Sequence, residues 1–297
     1  MSDLIVRPLR AGEEALFDSL PDPGLVGHAI HGITYATGNY RPEWTWVALR
    51  DDVVVARAVW WAGPDDAEPK ALDWFDFTDA DAAVELLRTA PFHTEYSIPL
   101  PANWRDDPAT HAAATARLDA ATAAGMTFLV ERYTYRWTPD CGLPERSTRL
   151  EFRPEPDDEA IFDVFRRVNA SSLDAHVRHI VAEQGVDAAA RDDLDYLLWM
   201  PSPREWWRLA YTPDGELVGL AAPGYHYSAH VIGYIAVVPE QRGHGYALDL
   251  LAEATHLLAA EGATKIVAGT DVPNVPMAKA FARGNYPIAH HRIDLLP

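Results

Sequence analysis

The sequence predicts an α/β protein, in the α+β sense, made of two similarly built halves. Short β-type runs alternate with amphipathic helical patterns along a chain of 297 residues, a length that suits two compact domains. A stretch with two prolines and a glycine, residues 139–147, falls near the midpoint and is typical of a linker. We therefore predict a first domain over residues 1–138, a linker over 139–147 and a second domain over 148–297.

Both halves begin with the same succession of elements. Each starts with a short strand, at residues 4–9 and from residue 150, that ends in Arg-Pro and leads to an acidic helix start. Acidic side chains suit the positive end of a helix dipole. The strand pairs expected next lie at residues 44–49 and 53–60 and at residues 207–211 and 217–222. Pro-Asp-Gly joins the second pair and is a hairpin signal.

A helix followed by a strand comes later in each half. We predict them at residues 112–124 and 126–135, and at residues 247–261 and 265–270. The match indicates an internal repeat of about 145 residues, the size of a compact domain. Two unrelated α/β domains are the alternative, because secondary-structure matching from one sequence is weak evidence.

The composition disfavours several classes of protein. Twenty-five basic and 44 acidic residues give a net charge of −19, which repels nucleic acid and anionic membranes and can steer a cationic small molecule. The chain lacks a signal-peptide pattern and any apolar run of about 18 residues. Its one cysteine, Cys141, allows no internal disulfide. We expect a cytoplasmic protein without a nucleic-acid or membrane partner; the oligomeric state stays open.

The most informative motif follows the predicted strand Val231–Val238. Pro239 ends this strand, and Gly243 and Gly245 lie in the short loop before an amphipathic helix that begins near Ala247. A turn of small residues between a strand and a helix leaves backbone N–H groups unpaired, and the helix dipole adds positive potential there. The stretch therefore predicts a phosphate-binding loop.

Three known phosphate loops can be compared with this stretch. The dinucleotide pattern needs glycine at position 248, where the chain has Leu248, and the P-loop needs a lysine that is absent here. The pattern Arg/Gln-x-x-Gly-x-Gly/Ala is complete from Arg242 to Ala247. It resembles motif A of the GNAT superfamily, the acyl-CoA-dependent N-acyltransferases. Because residues 1–140 lack this pattern, the chain resembles a tandem GNAT protein whose first half is degenerate.

The resemblance implies a fold and a reaction. It implies two GNAT-like domains, each a mixed, mostly antiparallel twisted sheet flanked by helices. It also implies acetyl-CoA as the cofactor and transfer of its acetyl group to a primary amine of an unidentified small molecule, for which the net charge favours a cation. A catalytically silent acyl-CoA sensor or interaction module is the alternative from another class, and a hydride-transferring dinucleotide enzyme is a more distant one.

The resemblance also implies which residues bind coenzyme A. They are Ala236, Val237, Val238, Arg242, Gly243, His244, Gly245, Tyr246, Ala247, Asn274 and Phe281. In the family the loop amides bind the diphosphate, and the asparagine commonly hydrogen-bonds the pantetheine arm. Phe281 stands where many family members have a tyrosine as general acid. A phenyl ring cannot donate a proton, so the usual acid is missing.

The catalytic candidates are Asp271, His226 and Val237. In the family, a backbone N–H that is freed where two strands splay apart polarises the thioester carbonyl, and Val237 is our candidate for it. Asp271 follows the strand near Asn274, where some family members have an acid; it serves as base or substrate anchor, or alternatively caps a helix or turn. The positions that some relatives use for a base are Gly233 and Val231, which cannot titrate.

His226 belongs to a polar aromatic cluster, Tyr225-His226-Tyr227. Its intrinsic pKa suits a base near neutral pH, and a histidine on a surface loop is the alternative. His176 and His179 share a helix face, but the sequence places no third ligand beside them, so we predict no metal. Residues 171–200 correspond to the acceptor-side helices of GNAT folds. There, His179, Glu183 and Asp187 line either the amine pocket or a solvated acidic face.

Overall fold

Two compact units emerge from a computed structural model, which describes residues 3–21, 24–27, 33–226 and 229–297. Unit 1 comprises Met1–Glu131 and His290–Pro297, and unit 2 comprises Arg132–Ala289. The C-terminal strand therefore belongs to the unit that the N-terminal half forms. The predicted domains are each continuous in sequence, and they stay a prediction. Residues 139–147, predicted as a linker, belong to unit 2 by their contacts.

Unit 1 is a mixed sheet with helices. Its elements are β1 (Leu4–Pro8), α1 (Glu14–Asp18), β2 (Thr45–Arg50), β3 (Val53–Trp61), β4 (Ala71–Phe77), α2 (Ala80–Thr89), β5 (Glu95–Pro101), α3 (Pro108–Ala124), the first part of β6 (Thr127–Trp137) and most of β12 (Ile288–Leu296). The strand order is β1-β2-β3-β4-β5-β12. Strands β4 and β5 are parallel, and the other pairs whose registers are known are antiparallel.

Unit 2 repeats this plan. Its elements are the rest of β6, then β7 (Glu151–Pro154), α4 (Asp158–Asn169), α5 (Ala175–Gln184), α6 (Val186–Trp199), β8 (Arg208–Tyr211), β9 (Leu217–His226), β10 (Ala229–Val237), α7 (Tyr246–Ala260), β11 (Ile266–Asp271) and α8 (Val275–Arg283). The strand order is β6-β11-β10-β9-β8-β7, and only β10 and β11 run parallel. The predicted mixed, mostly antiparallel sheet with flanking helices is confirmed.

Apolar periodicity explains how the helices of unit 2 pack. Helix α4 buries Ile161, Phe165 and Val168, which recur at the i, i+4, i+7 spacing of one helix face. Helix α7 buries nearly its whole length, because its sequence is apolar on more than one side. These helices and the strands between them enclose the main core of the unit.

One predicted correspondence between the halves is wrong. The sequence pairs the helix at residues 112–124 with the helix at 247–261, whereas the element order pairs α2 with α7, since each follows the first strand of its parallel pair. The sequence analysis overlooks β4, because Asp73 and Asp76 interrupt its apolar residues. It also overlooks α2, β5 and β12. The other predicted helices and strands are found, with ends shifted by a few residues.

The stretch predicted as a linker is attached to its neighbours within unit 2. The Trp137 indole N–H donates to the Gly142 carbonyl at 2.9 Å, and His256 Nε2 lies 2.9 Å from the Pro144 carbonyl oxygen. Arg146 pairs with the buried Glu253 of α7 at 2.8 Å. In the described parts of the chain, no helix is long and apolar enough to cross a lipid bilayer.

Candidate active site at the splayed strands of unit 2

A gap opens between the two parallel strands of unit 2. Strands β10 and β11 pair only at their beginnings, where His230 lies beside Ile266 and Val231 beside Val267. Beyond these pairs β10 continues to Val237 without β11 as a partner, although it stays paired with β9 on its other side. The unpaired edges of β10 and β11 therefore face each other across a gap that widens toward their carboxyl ends.

A β-bulge marks the point where the strands separate. The pairing of β10 with β9 shifts between Ile232 and Tyr234, so Gly233 is the additional residue. A Cβ atom at Gly233 would lie 2.8 Å from the Ala222 carbonyl oxygen and 2.7 Å from Cε of Met200. Only glycine fits this close approach without movement of the backbone.

The free edge of β10 presents backbone N–H groups to the gap. Val238 donates its N–H to the Val218 carbonyl on β9 at 2.9 Å. Successive backbone groups of a strand point to opposite sides, so the N–H of Val237 points away from β9. The same alternation orients the N–H of Ile235 toward the gap, whereas Ala236 directs its carbonyl toward Gly219 on β9. The strand edge thus offers donors at every second residue.

The loop from β10 to α7 ends in exposed backbone donors. Helix α7 begins after Gly245, which has φ +78° and no side-chain cap, and Gly243 has φ +89°. The N–H groups of residues 243–247 have no acceptor among the described residues. A Cβ atom at Gly243 or Gly245 would meet no atom within 4 Å, so the space beside both glycines is open.

This loop fits the diphosphate of coenzyme A. Consecutive N–H donors at a helix N-terminus, with the positive end of the helix dipole behind them, form an anion site. Side chains at Gly243 and Gly245 would occupy the open space that an anion needs. The donor chemistry suits a diphosphate, and positive φ at both positions favours glycine.

Two of three comparisons with known proteins agree with this geometry. Residues 175–285 match the model of the Acetyltransferase (GNAT) family. Unit 2 contains a GNAT acetyltransferase domain. The match places these residues in a family of acyltransferase enzymes that generally use acetyl-CoA. A search of curated proteins found no match.

Solved structures extend the fold likeness to nearly the whole chain. A GCN5-related N-acetyltransferase from Sphaerobacter thermophilus is 14% identical, covers 98% of this chain and 94% of its own, and has a TM-score of 0.51. A glucosamine N-acetyltransferase region of a fungal multi-domain GH3 β-N-acetylglucosaminidase is 13% identical, with a TM-score of 0.52; the match covers 100% of this chain and 38% of that one. A tandem GNAT protein from the clavulanic acid biosynthesis pathway is 15% identical, covers 99% of this chain and 98% of its own, and has a TM-score of 0.47.

Within the GNAT domain, Arg242 is held by backbone carbonyls. Its guanidinium donates to the carbonyl oxygens of Val237 at 3.2 Å, Ser171 at 3.1 Å and Val168 at 3.4 Å, and to the Ser171 hydroxyl at 2.9 Å. These bonds tie the loop between β10 and α7 to the end of α4. Arg242 therefore fixes the conformation of the loop, and a contact with the cofactor stays a prediction.

The aromatic residues of the loop stack on each other. The His244 ring lies 5.5 Å from that of Tyr246, and its Nδ1 lies 3.2 Å from the Gln241 carbonyl oxygen. Arg149 lies over the Tyr246 ring and pairs with the buried Asp249 in the first turns of α7. These contacts orient the start of the helix, while Ala247 is its second residue.

Asn274 and Phe281 frame α8. The side-chain oxygen of Asn274 accepts the N–H of Met277 at 3.3 Å and so caps the helix. Phe281 is 1% exposed; its ring stacks on Tyr135 at 4.3 Å and meets Tyr286 edge-on at 5.4 Å. The ring that replaces the family's tyrosine is thus part of the core.

Asp271 is buried beneath α5, at the end of β11. It is 1% exposed, its Oδ2 accepts the N–H of Ala175 at 2.6 Å, and its Oδ1 lies 3.2 Å from Nε of Arg132. Burial, reinforced by the nearby Asp174, raises its pKa. Asp271 thus accepts an N–H from the first turn of α5, whose N-cap residue is Asp174; its role as base or substrate anchor stays a prediction.

His226 lies at the opposite end of β10 from the loop. It is paired with Ala229, the first residue of β10, whereas Val237 is the last. Its ring is 5.1 Å from that of Trp199, and burial lowers its pKa. Tyr227 of the predicted cluster lies outside the described residues. His226 lies beside the beginning of β10 and Asp271 at the end of β11, so the two residues lie at opposite ends of the parallel strands.

The predicted acceptor-side residues on α5 and α6 lie at the surface. His179 and Glu183 are exposed, and Asp187 is exposed and pairs with Arg166 at 2.6 Å. The sequence analysis missed a different polar group nearby, formed by Asn169, Asp193 and Tyr234. A signal for it existed in Asn169, a polar residue on the apolar face of α4 that continues the spacing of Phe165.

Proposed function

We propose that the GNAT domain transfers the acetyl group of acetyl-CoA to a primary amine of a small molecule. The observation that carries the proposal is the presence of two neighbouring sets of backbone donors, one in the loop and one along the edge of β10. The free N–H groups of residues 243–247 lie at one end of the gap, and the unpaired edge of β10 extends from it. A diphosphate and an extended amide-containing arm need donors in this arrangement.

The loop binds the diphosphate in this proposal, and the strand edge orients the rest of the cofactor. Residues 243–247 donate their N–H groups, while Ala236, Val237 and Val238 form the wall of the gap. The side-chain NH2 group of Asn274 has no acceptor among the described residues and is available to the pantetheine arm, while the side-chain oxygen caps α8. Phe281 contributes a rigid floor, because Tyr135 and Tyr286 hold its ring in place.

The Val237 N–H polarises the reacting carbonyl in this proposal. Acetyl-CoA, when bound, supplies a thioester whose carbonyl carbon accepts a nucleophile. A fixed backbone donor stabilises the negative charge that develops on the carbonyl oxygen, at no cost of reorganisation. Holding the two reactants in line contributes on the order of 7–11 kcal/mol, so the site needs no strong base.

The leaving thiolate takes its proton from water. Phe281 carries no proton, and its ring is enclosed in the core. A thiol of ordinary pKa, about 8.5, is a fairly good leaving group, so an acid is dispensable. The same observation favours the second candidate function, an acyl-CoA-binding sensor that does not catalyse transfer.

Release of free thiol from acetyl-CoA, measured with a panel of primary amines, tests the proposal. We expect release that depends on the amine and disappears in Gly245→Asp. Gly215→Asp is the matched control, because Gly215 also has positive φ and open space at its Cβ but lies in the β8–β9 turn. Saturable cofactor binding without release for any amine would instead support the sensor.

Two variants test the predicted base. If Asp271 handles the amine, Asp271→Asn lowers kcat while the Kd for coenzyme A is unchanged. If it acts only as the cap of α5, the variant lowers the melting temperature, and kcat falls no more than it does in a capping variant at Asp174, which caps the same helix. His226→Ala should leave both quantities unchanged if His226 is a surface histidine.

A further inference from the structure

A chain of polar side chains connects β10 to the helices that pack on it. The Tyr234 hydroxyl donates to Oδ1 of Asn169 at 3.5 Å, and Nδ2 of Asn169 donates to Oδ2 of Asp193 at 2.7 Å. Tyr234 directly follows the bulge at which β10 leaves β11. This series of hydrogen-bonded side chains therefore starts where the gap opens and ends on α6.

Packing against α4 holds these hydrogen-bonded side chains on one face of the sheet. Phe165 of α4 meets the Tyr234 ring edge-on at 4.7 Å, and Asn169, one helical turn further, is 2% exposed. A buried amide must use its hydrogen-bonding groups within the protein. Asn169 does so by bonding both neighbours, and its position is therefore determined by Tyr234 and Asp193 together.

Asp193 has no counter-ion in the described parts of the chain. Its one hydrogen bond there comes from Asn169, a neutral amide, and its Oδ1 has no partner. The charged groups that face it are both acids, Asp192 on its own helix and Asp174 before α5. A partly buried carboxylate without a cation is costly unless it takes up a proton or meets a cationic ligand.

We propose that Asp193 is the general base that deprotonates the acceptor amine, and that Asn169 holds its carboxylate in place for this step. The inference rests on the proposed acetyl transfer. It assigns the acceptor to amines that are protonated in water, because only those need a base before they react. Gly233 and Val231 cannot titrate. Both carboxylate oxygens of Asp271 already face protein donors, whereas Oδ1 of Asp193 has no partner among the described residues.

The proposed step balances as follows. One proton of the acceptor ammonium goes to Oδ1 of Asp193, and the neutral amine nitrogen forms a bond to the acetyl carbon. The carbon–sulfur bond breaks, and its electron pair leaves with the thiolate. The second proton lost by the nitrogen goes through water to the thiolate, and Asp193 later returns its own proton to solvent.

The electrostatics suit a base that works near neutral pH. Burial raises the pKa of Asp193 to about 7, the hydrogen bond from Asn169 opposes the rise, and Asp174 and Asp192 add to it. A base is most effective when its pKa lies near the working pH. Since folding disfavours the ionised form of Asp193, Asp193→Asn should not destabilise the protein.

The experiment compares Asp193→Asn with Asp195→Asn, a matched control on an exposed aspartate of the same helix. Both variants and the wild type are assayed by thiol release at pH 7 with alkylamines, which are protonated, and with arylamines, which are neutral. We expect Asp193→Asn to lower kcat for alkylamines by about 100-fold, within the usual range for a lost base. Arylamine turnover should change less than threefold, and Asp195→Asn should resemble the wild type.

The pH profile provides a second readout. With alkylamines, kcat of the wild type should rise through a midpoint near pH 7, the value to which the pKa of Asp193 is raised, and this limb should vanish in Asp193→Asn. Equal losses for alkylamines and arylamines would indicate a structural role and overturn the inference. So would identical kinetics for the two variants.

Failure of the inference can be told from failure of the proposed function. If no amine in the panel causes the wild type to release thiol, acetyl transfer itself is refuted and the inference falls with it. If the wild type is active and Asp193→Asn behaves like Asp195→Asn, only the base assignment is refuted. Melting curves of both variants show that they fold.

Discussion

The parallel strand pair of unit 1 and that of unit 2 have the same pairing, but the helix that follows the first strand begins differently in each unit. Each pair meets at two residue pairs only, Ala71 and Leu72 with β5 in unit 1, and His230 and Val231 with β11 in unit 2. The helix that follows begins at the bare Gly245 in unit 2. In unit 1 it begins at Asp79, whose carboxylate accepts the N–H of Ala82 in the first turn of α2 and repels anions.

The gap between the strands also differs. In unit 1 a cavity of about 10 Å³ lies beside β4 and β5. The buried Asp76 fills part of it through ion pairs with Arg57 and Arg117, and Gly27 donates its N–H to the Pro99 carbonyl at 2.9 Å. The fold is therefore repeated in both units, whereas an open gap and an uncapped helix start occur together in unit 2.

The largest effect is expected from a charge placed in the loop of unit 2. Gly245→Asp should weaken coenzyme A binding by ~100-fold or more, because charge-assisted bonds of about 1.5–3 kcal/mol each are lost. Isothermal titration calorimetry measures this, with Gly215→Asp as the control. Unchanged affinity in Gly245→Asp would show that the diphosphate binds elsewhere.

The comparison also predicts how many cofactor molecules bind. The acidic cap and the filled gap of unit 1 leave no room for a diphosphate, so calorimetry on the full chain should give one molecule of acetyl-CoA per chain. Gly245→Asp should then abolish the whole signal. A stoichiometry of two, or a residual site in the variant, would contradict the difference between the units.

A smaller effect concerns stability. Phe281→Tyr should lower the free energy of unfolding by about 1–3 kcal/mol, because its added hydroxyl would be buried without a partner. The exposed Phe128 provides the matched control, Phe128→Tyr, which should be neutral. Denaturant unfolding measures both variants. Higher activity in Phe281→Tyr without a loss of stability would mean that the new hydroxyl reaches the reaction site.

The smallest effect belongs to the helix start of unit 1. Asp79→Ala should cost about 1 kcal/mol, the typical value of a helix cap. The hydrogen bond from Ala82 and the Arg50 guanidinium lower the pKa of Asp79, so its contribution exists at neutral pH and is lost as the pH falls through that lowered pKa. The stabilities of variant and wild type should converge in acid. The exposed Asp119→Ala should show no effect at either pH.

Much of the fold and of the cofactor loop was predictable from the sequence, because both depend on local patterns. The strand before Pro239 and the glycines after it are read from neighbouring residues. Strand β4 could not be predicted, since Asp76 is stabilised by Arg57 and Arg117, which are distant in sequence. That β12 belongs to unit 1 likewise depends on its pairing with β5, which is distant in sequence.

The acceptor side was the least predictable part of the site. Asp271 looked like a base from its place after a strand, and only the fold brings α5 over it. In the sequence, Asp193 is one of several acidic residues of α6, and only its contact with Asn169 distinguishes it from the others. Sequence patterns show spacing along one element, whereas a polar network joins several elements.

The crystal structure of the full chain with coenzyme A tests the central claim most directly. We predict the diphosphate within hydrogen-bond distance of the N–H groups of residues 243–247, and the pantetheine arm between β10 and β11. A cofactor bound between β4 and β5, or a loop whose amides face only water while the cofactor lies elsewhere, would contradict the account.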